Sequence, residues 1–279
     1  TVVTITGDNF TPTHDQLRVQ IGPLEVPAAN LNMVLLPNGQ YAVVITTPAW
    51  TNQQLPRPSF AVNIAENGQQ FTQNSVVFSY YPQPTLTSLA PSFAAVRGGV
   101  PLLLTGAGFQ AASHDNYARA MFTTAAGASL LGVANVTVLS FTQIALHALP
   151  VALGTLSAQV AISLNAQQWT TATLTLLYYD PAIVTAISPR SGPIAGNSVV
   201  HITGNNFFDT GVVQAVFGAH REISCSYISF TRVDCVTPPF LAAGTVNVNV
   251  TVDTAFNSFQ LYSANVIPFV VYGERSVVL

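Results

Sequence analysis

The chain has 279 residues, of which only 7% are charged, and its formal net charge is −3. All eight basic residues are arginines and they are scattered along the sequence, whereas a nucleic-acid-binding protein needs a dense basic surface, so that class is disfavoured. The absence of lysine also rules out a lysine Schiff base and a Walker-type phosphate loop in this segment.

The first residues, Thr1 to Thr6, already alternate as a strand does, so we expect no signal peptide and a start inside a domain. No apolar run reaches about 18 residues without interruption, which predicts no membrane-spanning helix in this segment. The stretch 141–164 comes nearest, but glutamine, glycine and proline interrupt it and its alternation is typical of strands.

Alternating apolar and polar residues dominate the chain. Phe60, Val62 and Ile64 alternate before an Asn67-Gly68 turn, which is a strong signal of a β-hairpin. Valines alternate with asparagine, threonine and aspartate over 246–253, which gives one apolar and one polar face. Helical spacing is not persuasive over any ten residues. The pattern predicts an all-β protein built from antiparallel sandwiches.

Two motifs recur in phase along the chain. A Gly-x-x-Phe motif occurs at Gly7–Phe10, Gly106–Phe109 and Gly204–Phe207, with its glycines 99 and 98 residues apart. The segment Asn67–Thr72 returns 98 residues later as Asn165–Thr170. Because solenoid repeats have periods of about 20–50 residues, this longer period indicates tandem copies of a whole domain.

The repeats predict the domain boundaries. We expect three domains and a linker to further sequence, at 1–81, 82–180, 181–273 and 274–279. Proline-containing junctions at 81–84 and 180–181 separate the domains, and because proline restricts the backbone, the joints should be short and fairly stiff. The first domain is expected to lack its first strand.

Two His-Asp pairs resemble acid–base or metal sites. His14-Asp15 and His114-Asp115 each follow the Gly-x-x-Phe motif at nearly the same repeat position. A pair that recurs with the repeat and has no nucleophile is better explained by common ancestry than by catalysis.

The remaining titratable residues form no recognisable site. Among the other histidines no pair has the short spacing of a zinc site, and the aspartates are too scattered for a calcium loop. The residues concerned are His147, His201, His220, Asp8, Asp234 and Asp253. We therefore predict no enzymatic activity, no catalytic residue, no metal site and no cofactor.

Cys225 and Cys235 are the only cysteines and lie ten residues apart. A disulfide across a hairpin fits this spacing, because neighbouring antiparallel strands bring Cβ atoms within bridging distance. Two buried free thiols are the alternative. A disulfide would imply an oxidising compartment.

Three Asn-x-Thr sequons are candidates for N-glycosylation, at Asn9, Asn135 and Asn249. In the second and third, the asparagine and threonine are expected to share the face opposite the core valines, where a glycan must stand. Pro12 lowers the odds for Asn9, and chance occurrence in a Thr- and Asn-rich chain is the alternative for all three.

Two tryptophans are candidates for stacking on a sugar. Trp50 lies beside Pro48, and Trp169 replaces Phe71 at the equivalent position of a predicted hairpin. That equivalence favours a packing role for Trp169.

The third repeat resembles the IPT/TIG domains. The resemblance rests on 187–193, Ala195-Gly196 and 199–207, and it continues through 216–225 and 235–239. The second repeat follows the pattern more loosely, and the first repeat begins only at Val2. The resemblance implies immunoglobulin-like folds of the kind found in plexins, fibrocystin-like proteins and many microbial and algal surface proteins. The family also includes transcription factors and accessory domains of starch enzymes, so it indicates fold rather than function.

Three tandem immunoglobulin-like sandwiches, the first of them N-terminally truncated, suggest a non-enzymatic extracellular rod. We expect it to be a structural or adhesive part of a larger cell-surface or filament-forming glycoprotein, such as a flagellar hair, cell wall or surface coat. Its partners would be other protein chains or copies of itself, and possibly glycans. The alternatives are the stalk of a plexin-like receptor and an accessory carbohydrate-associated module of a secreted polysaccharide enzyme.

Overall fold

The computed structural model describes residues 1–11, 16–51, 59–73, 76–109, 117–125, 129–219, 222–252, 262–263 and 265–273. These residues form short strands and one 3₁₀ helix, and the strands build tandem immunoglobulin-like antiparallel β-sandwiches. The alternation predicted the antiparallel sandwiches, and the resemblance to IPT/TIG domains implied their immunoglobulin-like type. The strands fall into three consecutive groups, called here the first, second and third units.

The first unit has two sheets that enclose a small core. Its strands are β1 (Val2–Thr6), β2 (Arg18–Ile21), β3 (Leu24–Glu25), β4 (Leu31–Leu35), β5 (Tyr41–Thr46), β6 (Ser59–Ala65) and β7 (Val77–Ser79), with the 3₁₀ helix Ala28–Asn30 before β4. One sheet has the order β1-β5-β4 and the other β3-β2-β6-β7. Val19, Ile21 and Val43 lie fully buried between them.

The second unit repeats this plan with additional strands. Its strands are β8 (Thr85–Ala90), β9 (Phe93–Ala95), β10 (Pro101–Ala107), β11 (Arg119–Thr124), β12 (Leu130–Asn135), β13 (Thr137–Ser140), β14 (Gln143–His147), β15 (Ser157–Ser163) and β16 (Leu174–Tyr179). The sheets have the orders β13-β14-β10-β8 and β12-β11-β15-β16-β9. Strand β9 pairs in parallel with β16, and the other pairs are antiparallel.

The third unit joins its two sheets into a continuous one. Its strands are β17 (Ile183–Ser188), β18 (Ser191–Pro193), β19 (Val199–Asn205), β20 (Gln214–Phe217), β21 (Ile223–Ser229), β22 (Arg232–Val236), β23 (Gly244–Thr251) and β24 (Ile267–Tyr272). The order is β17-β19-β22-β21-β20-β23-β24-β18. Strand β21 pairs with β20 through its first residues and with β22 through its later ones. In the second unit two separate strands make the equivalent pairings, β12 with β11 and β13 with β14.

The Gly-x-x-Phe motif forms the same turn in each unit. Its third residue has a left-handed backbone each time, with φ of 66° at Asn9, 82° at Gly108 and 60° at Asn206. Asparagine and glycine are the residues that adopt this conformation at least cost. The turn therefore carries the phenylalanine ring back against the end of the strand that precedes it.

The ring is buried to a different extent in the three units. Phe109 and Phe207 are completely buried, whereas Phe10 is only partly covered. In the second and third units an additional strand, β8 or β17, lies beside the strand that ends in the motif. Among the described residues no strand takes that place beside β1, and its unpaired side leaves the ring of Phe10 partly exposed.

Candidate interaction surfaces

The two cysteines form a disulfide across a hairpin. Cys225 on β21 lies directly opposite Cys235 on β22, with their Cα atoms 4.4 Å apart. Cys235 is 1% exposed and belongs to the core of the third unit, while Cys225 is partly buried against the same core. The bond therefore ties the hairpin to the core.

A polar cluster lies on the outer face of the same hairpin. The guanidinium of Arg232 donates from Nε to Oδ1 of Asp234 at 2.8 Å and from Nη2 to Oδ2 at 3.0 Å. Nδ1 of His201 lies 2.8 Å from Oδ1 of Asp234 and 2.8 Å from Nη2 of Arg232. One ring nitrogen cannot donate to the carboxylate and accept from the guanidinium at the same time, so these two contacts are alternatives.

The hydrogen bonds from Arg232, followed by those from His201, lower the pKa of Asp234. The cluster thus holds a carboxylate ionised beside a guanidinium on a partly exposed surface. The sequence analysis considered His201 and Asp234 separately, and it is the strand register that places His201 opposite Asp234. The Arg232-x-Asp234 spacing, which puts both side chains on one face of a strand, was the available signal.

No larger cluster of metal-ligating side chains accompanies it. Among the described residues, no three histidine, cysteine, aspartate or glutamate side chains come together as a metal site would require. His14-Asp15, His114-Asp115, His220 and Asp253 lie outside the described residues. Arg18, which follows the first His-Asp pair, instead contacts Glu25 at 3.1 Å on the surface.

The three sequons occupy different environments. Asn135 and Thr137 are exposed on either side of the buried Val136, as the alternation predicted. Asn9 is exposed in the first Gly-x-x-Phe turn. The expectation for the third sequon was wrong: Thr251 is 0% exposed and Oδ1 of Asn249 is buried.

The third sequon is covered because β23 is a central strand. Asn249 lies opposite Val216 of β20. On the other side Ser263 donates its N–H to the carbonyl of Val250 at 2.7 Å, and Tyr262 forms a β-bridge with Thr251. Alternation identified the face on which Asn249 lies but not the coverage of that face.

Both tryptophans are partly buried. Trp50 packs against Phe60 and Tyr80 of the first unit, with ring centroids 4.9 and 6.0 Å apart. The main-chain carbonyl of Trp169 accepts a hydrogen bond of 2.8 Å from Nε2 of Gln83. These contacts favour structural roles for the two residues.

Polar contacts fasten the first unit to the second. The side-chain amide of Gln167 accepts from the N–H of Val2 at 2.7 Å and donates to its carbonyl at 2.8 Å. Beside it, Oγ1 of Thr1 donates to Oε1 of Gln168 at 3.0 Å. The carboxamide thus bonds to the edge of β1 as the backbone of a neighbouring strand would.

Aromatic contacts fasten the second unit to the third. Tyr179 at the end of β16 stacks on Phe208, which follows the third Gly-x-x-Phe motif, with centroids 5.2 Å apart and planes inclined by 17°. The ring centroid of Phe93 lies 5.8 Å from that of Phe208 and 6.4 Å from that of Tyr179. Because Tyr179 and Ala95 also pack with the core of the third unit, the hydrophobic contacts are continuous across this joint.

A buried tyrosine braces the second unit close to this joint. The hydroxyl of Tyr178 donates to the carbonyl of Leu149 at 2.8 Å, and burial raises the pKa of Tyr178 to about 12. Tyr80, at the equivalent position of the first unit, donates to the carbonyl of Pro48 at 3.1 Å. Each hydroxyl ties the C-terminal end of its unit to a loop, which keeps the residues that lead into each joint in place.

Apolar side chains are exposed at equivalent hairpin tips. Leu139 near the end of β13 and Phe141 in the turn that follows are 54% and 63% exposed. Ile228 near the end of β21 and Phe230 in its turn are 51% and 53% exposed. Each tip is held to its Gly-x-x-Phe turn, since Phe109 and Phe207 each donate an N–H at 3.1 Å to the tip phenylalanine's carbonyl. The same apolar pair is thus presented twice along the chain.

The described residues contain no helix with the length and apolar character needed to span a membrane.

Comparison with known proteins identifies the third unit. The model of the IPT/TIG domain matches residues 182–266, so this part of the chain is similar to IPT/TIG domains. The resemblance inferred from the sequence of the third repeat is thereby confirmed.

Among individual proteins, the chain is similar to the probable serine/threonine-protein kinase drkC of Dictyostelium discoideum. The two are 28% identical over an alignment 108 positions long, which covers 34% of this chain and 14% of the kinase. The chain therefore corresponds to a small part of that protein. Because it contains no lysine, it cannot include the phosphate-binding lysine of a kinase.

Among solved structures, the chain shows similarity to the full extracellular region of plexin A4. The two sequences are 17% identical, and the structural alignment has a TM-score of 0.47. The alignment covers 98% of this chain and 23% of the plexin chain. The FN1–FN3 domains of chicken CNTN1 are 12% identical, with 97% and 94% covered and a TM-score of 0.33.

Proposed function

We propose that this chain, part of which is similar to IPT/TIG domains, is a structural rod segment of an extracellular surface or filament-forming protein. The observation that carries the proposal is that direct contacts fasten both joints between its units. Gln167 bonds to Val2 at one joint, and Tyr179 stacks on Phe208 at the other. Side chains that hold successive sandwiches together limit their relative movement. Such a segment suits a protein that transmits force or keeps its two ends at a fixed distance.

The proposed division of the chain follows from the same joints. The proposed units occupy 1–81, 82–180 and 181–273. Both joints lie at proline-containing junctions, where the restricted backbone limits the orientations of neighbouring units.

An extracellular location is supported by two features. The disulfide between Cys225 and Cys235 belongs to an oxidising environment. Asn135 and Thr137 present an accessible sequon on β12 and β13. We infer that Asn135 carries a glycan when the protein passes through a eukaryotic secretory pathway, and that Asn9 remains a weaker candidate because Pro12 follows it closely.

The surface suits association with other proteins. Charges are few, so little repulsion keeps neighbouring molecules apart. The exposed pairs Leu139 with Phe141 and Ile228 with Phe230 provide apolar contacts at regular positions. The partners we propose are other protein chains or further copies of this one, with no catalytic role for the segment itself.

The stalk of a plexin-like receptor is the main alternative, because stiff joints suit a stalk equally well. The full-length protein discriminates between the two: a ligand-binding head and a membrane span favour the receptor, and further tandem copies favour the rod. The accessory carbohydrate-associated module has less support, since Trp50 packs inside the first unit and Trp169 is partly buried.

The rod is tested by measuring the distance between the outer units in dilute solution. Spin labels at exposed Leu35 of the first unit and exposed Leu241 of the third should give one narrow distance distribution in pulsed electron resonance. Labels at Leu35 and Leu153 report the first joint separately. A broad distribution for the outer pair would overturn the rod.

A further inference from the structure

The turn that fastens the first joint exists twice. In the second unit Oδ1 of Asn165 accepts from the N–H groups of Gln167 and Gln168, both at 3.1 Å, and its amide donates to Gln168 at 2.6 Å. In the first unit Asn67 makes the same three bonds, to Gln69 and Gln70, at 3.1, 2.9 and 2.7 Å. The residue after each asparagine has a left-handed backbone, Gly68 with φ of 71° and Ala166 with φ of 59°. The two turns are therefore built to present the same pair of glutamines.

Within the described residues, only the second of these turns has a binding partner in the chain. Gln167 holds the main chain of Val2, and Gln168 the hydroxyl of Thr1. Gln69 is exposed, and its side chain makes no hydrogen bond within the described part of the molecule. The turn of the second unit faces the preceding unit, so the equivalent turn of the first unit faces away from the second.

The third unit repeats the structure that Gln167 binds. Thr237 donates its N–H to the carbonyl of Ser198 at 2.9 Å, as Thr47 does to the carbonyl of Thr1 at 2.9 Å. Ser198-Val199 thus occupies the position of Thr1-Val2, with a hydroxyl residue followed by valine in both. Val199 is 54% exposed and Val2 is 50% exposed.

The main chain of Val199 faces outward. In an antiparallel ladder, successive residues direct their N–H and C=O groups to opposite sides, so Val199, which follows Ser198, directs its groups away from β22. The pairing of β17 with β19 ends at His201, so among the described residues no strand lies beside Val199 on that side. In the second unit Pro101 occupies this position, and proline has no N–H to donate.

We propose that the chain associates end to end with a second copy through these two sites. The carboxamide of Gln69 in one copy bonds to the N–H and C=O of Val199 in the other, while Gln70 accepts from the hydroxyl of Ser198. Both sites are present on every copy and they differ from each other, so the contact is head-to-tail and repeats into a filament. The inference deepens the proposed structural function and rests on it.

Sedimentation velocity of the chain over a wide concentration range tests this contact. The wild-type sedimentation coefficient should rise with concentration. Gln69→Ala removes both bonds to Val199, and Val199→Pro removes one, so the association constant should fall about tenfold for the first and about threefold or more for the second. Val199→Pro is compatible with the fold because Pro101 begins β10 at the equivalent position.

Gln143→Ala is the matched control, since Gln143 is an exposed glutamine on β14 in the second unit. It should leave the association constant unchanged, and circular dichroism should report the same fold for all variants. A wild-type chain that stays monomeric at every concentration would overturn the contact, as would an equal effect of Gln69→Ala and Gln143→Ala. A narrow distance distribution between the outer units in the dilute monomer would still support the rod, so the two proposals fail separately.

Discussion

Gly106 and Gly204 begin turns that no other residue fits. A Cβ on Gly204 would lie 2.0 Å from the carbonyl oxygen of Ile183 and 2.7 Å from the ring of Phe207. A Cβ on Gly106 would lie 2.1 Å from the carbonyl oxygen of Thr85 and 2.5 Å from the ring of Phe109. These glycines let the phenylalanine ring and the neighbouring strand approach the backbone together.

Gly204→Ala should therefore destabilise the third unit by about 2–3 kcal/mol, the cost of a severe overpacking. Gly7→Ala is the matched variant in the first unit, where the new Cβ meets only the partly exposed ring of Phe10 at 3.2 Å. It should cost less than about 1 kcal/mol. Differential scanning calorimetry, which separates the transitions of the units, measures both, and equal losses would contradict the explanation.

The sequons give a second prediction at the level of single residues. Expressed in secreting eukaryotic cells, the protein should carry a glycan at Asn135, where asparagine and threonine are exposed, and none at Asn249, where Thr251 is fully buried. Intact mass spectrometry should show the loss of one glycan in Asn135→Gln and no change in Asn249→Gln. A glycan at Asn249 in the folded protein would contradict the burial argument.

At the level of elements, the hairpin of β21 and β22 differs from its counterpart in the second unit. It carries the disulfide Cys225–Cys235 and the outer cluster of His201, Arg232 and Asp234. The equivalent hairpin of β13 and β14 has neither cysteine. The hairpin is therefore held by strand pairing and packing in the second unit, and by these together with a covalent bond in the third.

Reduction should lower the stability of the third unit by about 2–3 kcal/mol, because a disulfide over so short a loop restricts the unfolded chain by that amount. The transition of the second unit should not move, which provides an internal control. Calorimetry with and without reductant measures the two together. An equal shift of both transitions would indicate a nonspecific effect of the reductant.

For the whole molecule, the joints decide whether the units act as one body. The first joint relies on the carboxamide of Gln167 and the second on stacked rings. Aromatic pairs contribute about 0.5–1.5 kcal/mol beyond their buried area, so one substitution should loosen the second joint without unfolding a unit.

Phe208→Ala should widen the distribution of distances between exposed labels at Leu153 in the second unit and Leu241 in the third. It removes the ring that stacks on Tyr179 and contacts Phe93. Gln167→Ala is the control, because it acts at the first joint and should leave this distribution narrow. An unchanged distribution in Phe208→Ala would mean that the aromatic contacts do not hold the joint.

The sequence by itself determined the repeated sandwich, because its signals are local. Alternation assigns residues of a strand to two faces, and Gly-x-x-Phe specifies a turn through the backbone freedom of its own residues. Only the tertiary structure decided which faces are covered and which strands are neighbours. That is why Asn249 was expected on the open surface, why His201 and Asp234 were not paired in advance, and why the bonds of Gln167 to Val2 could not be foreseen. Contacts between residues 33 or 165 positions apart depend on register and on the packing of whole units, which no local pattern encodes.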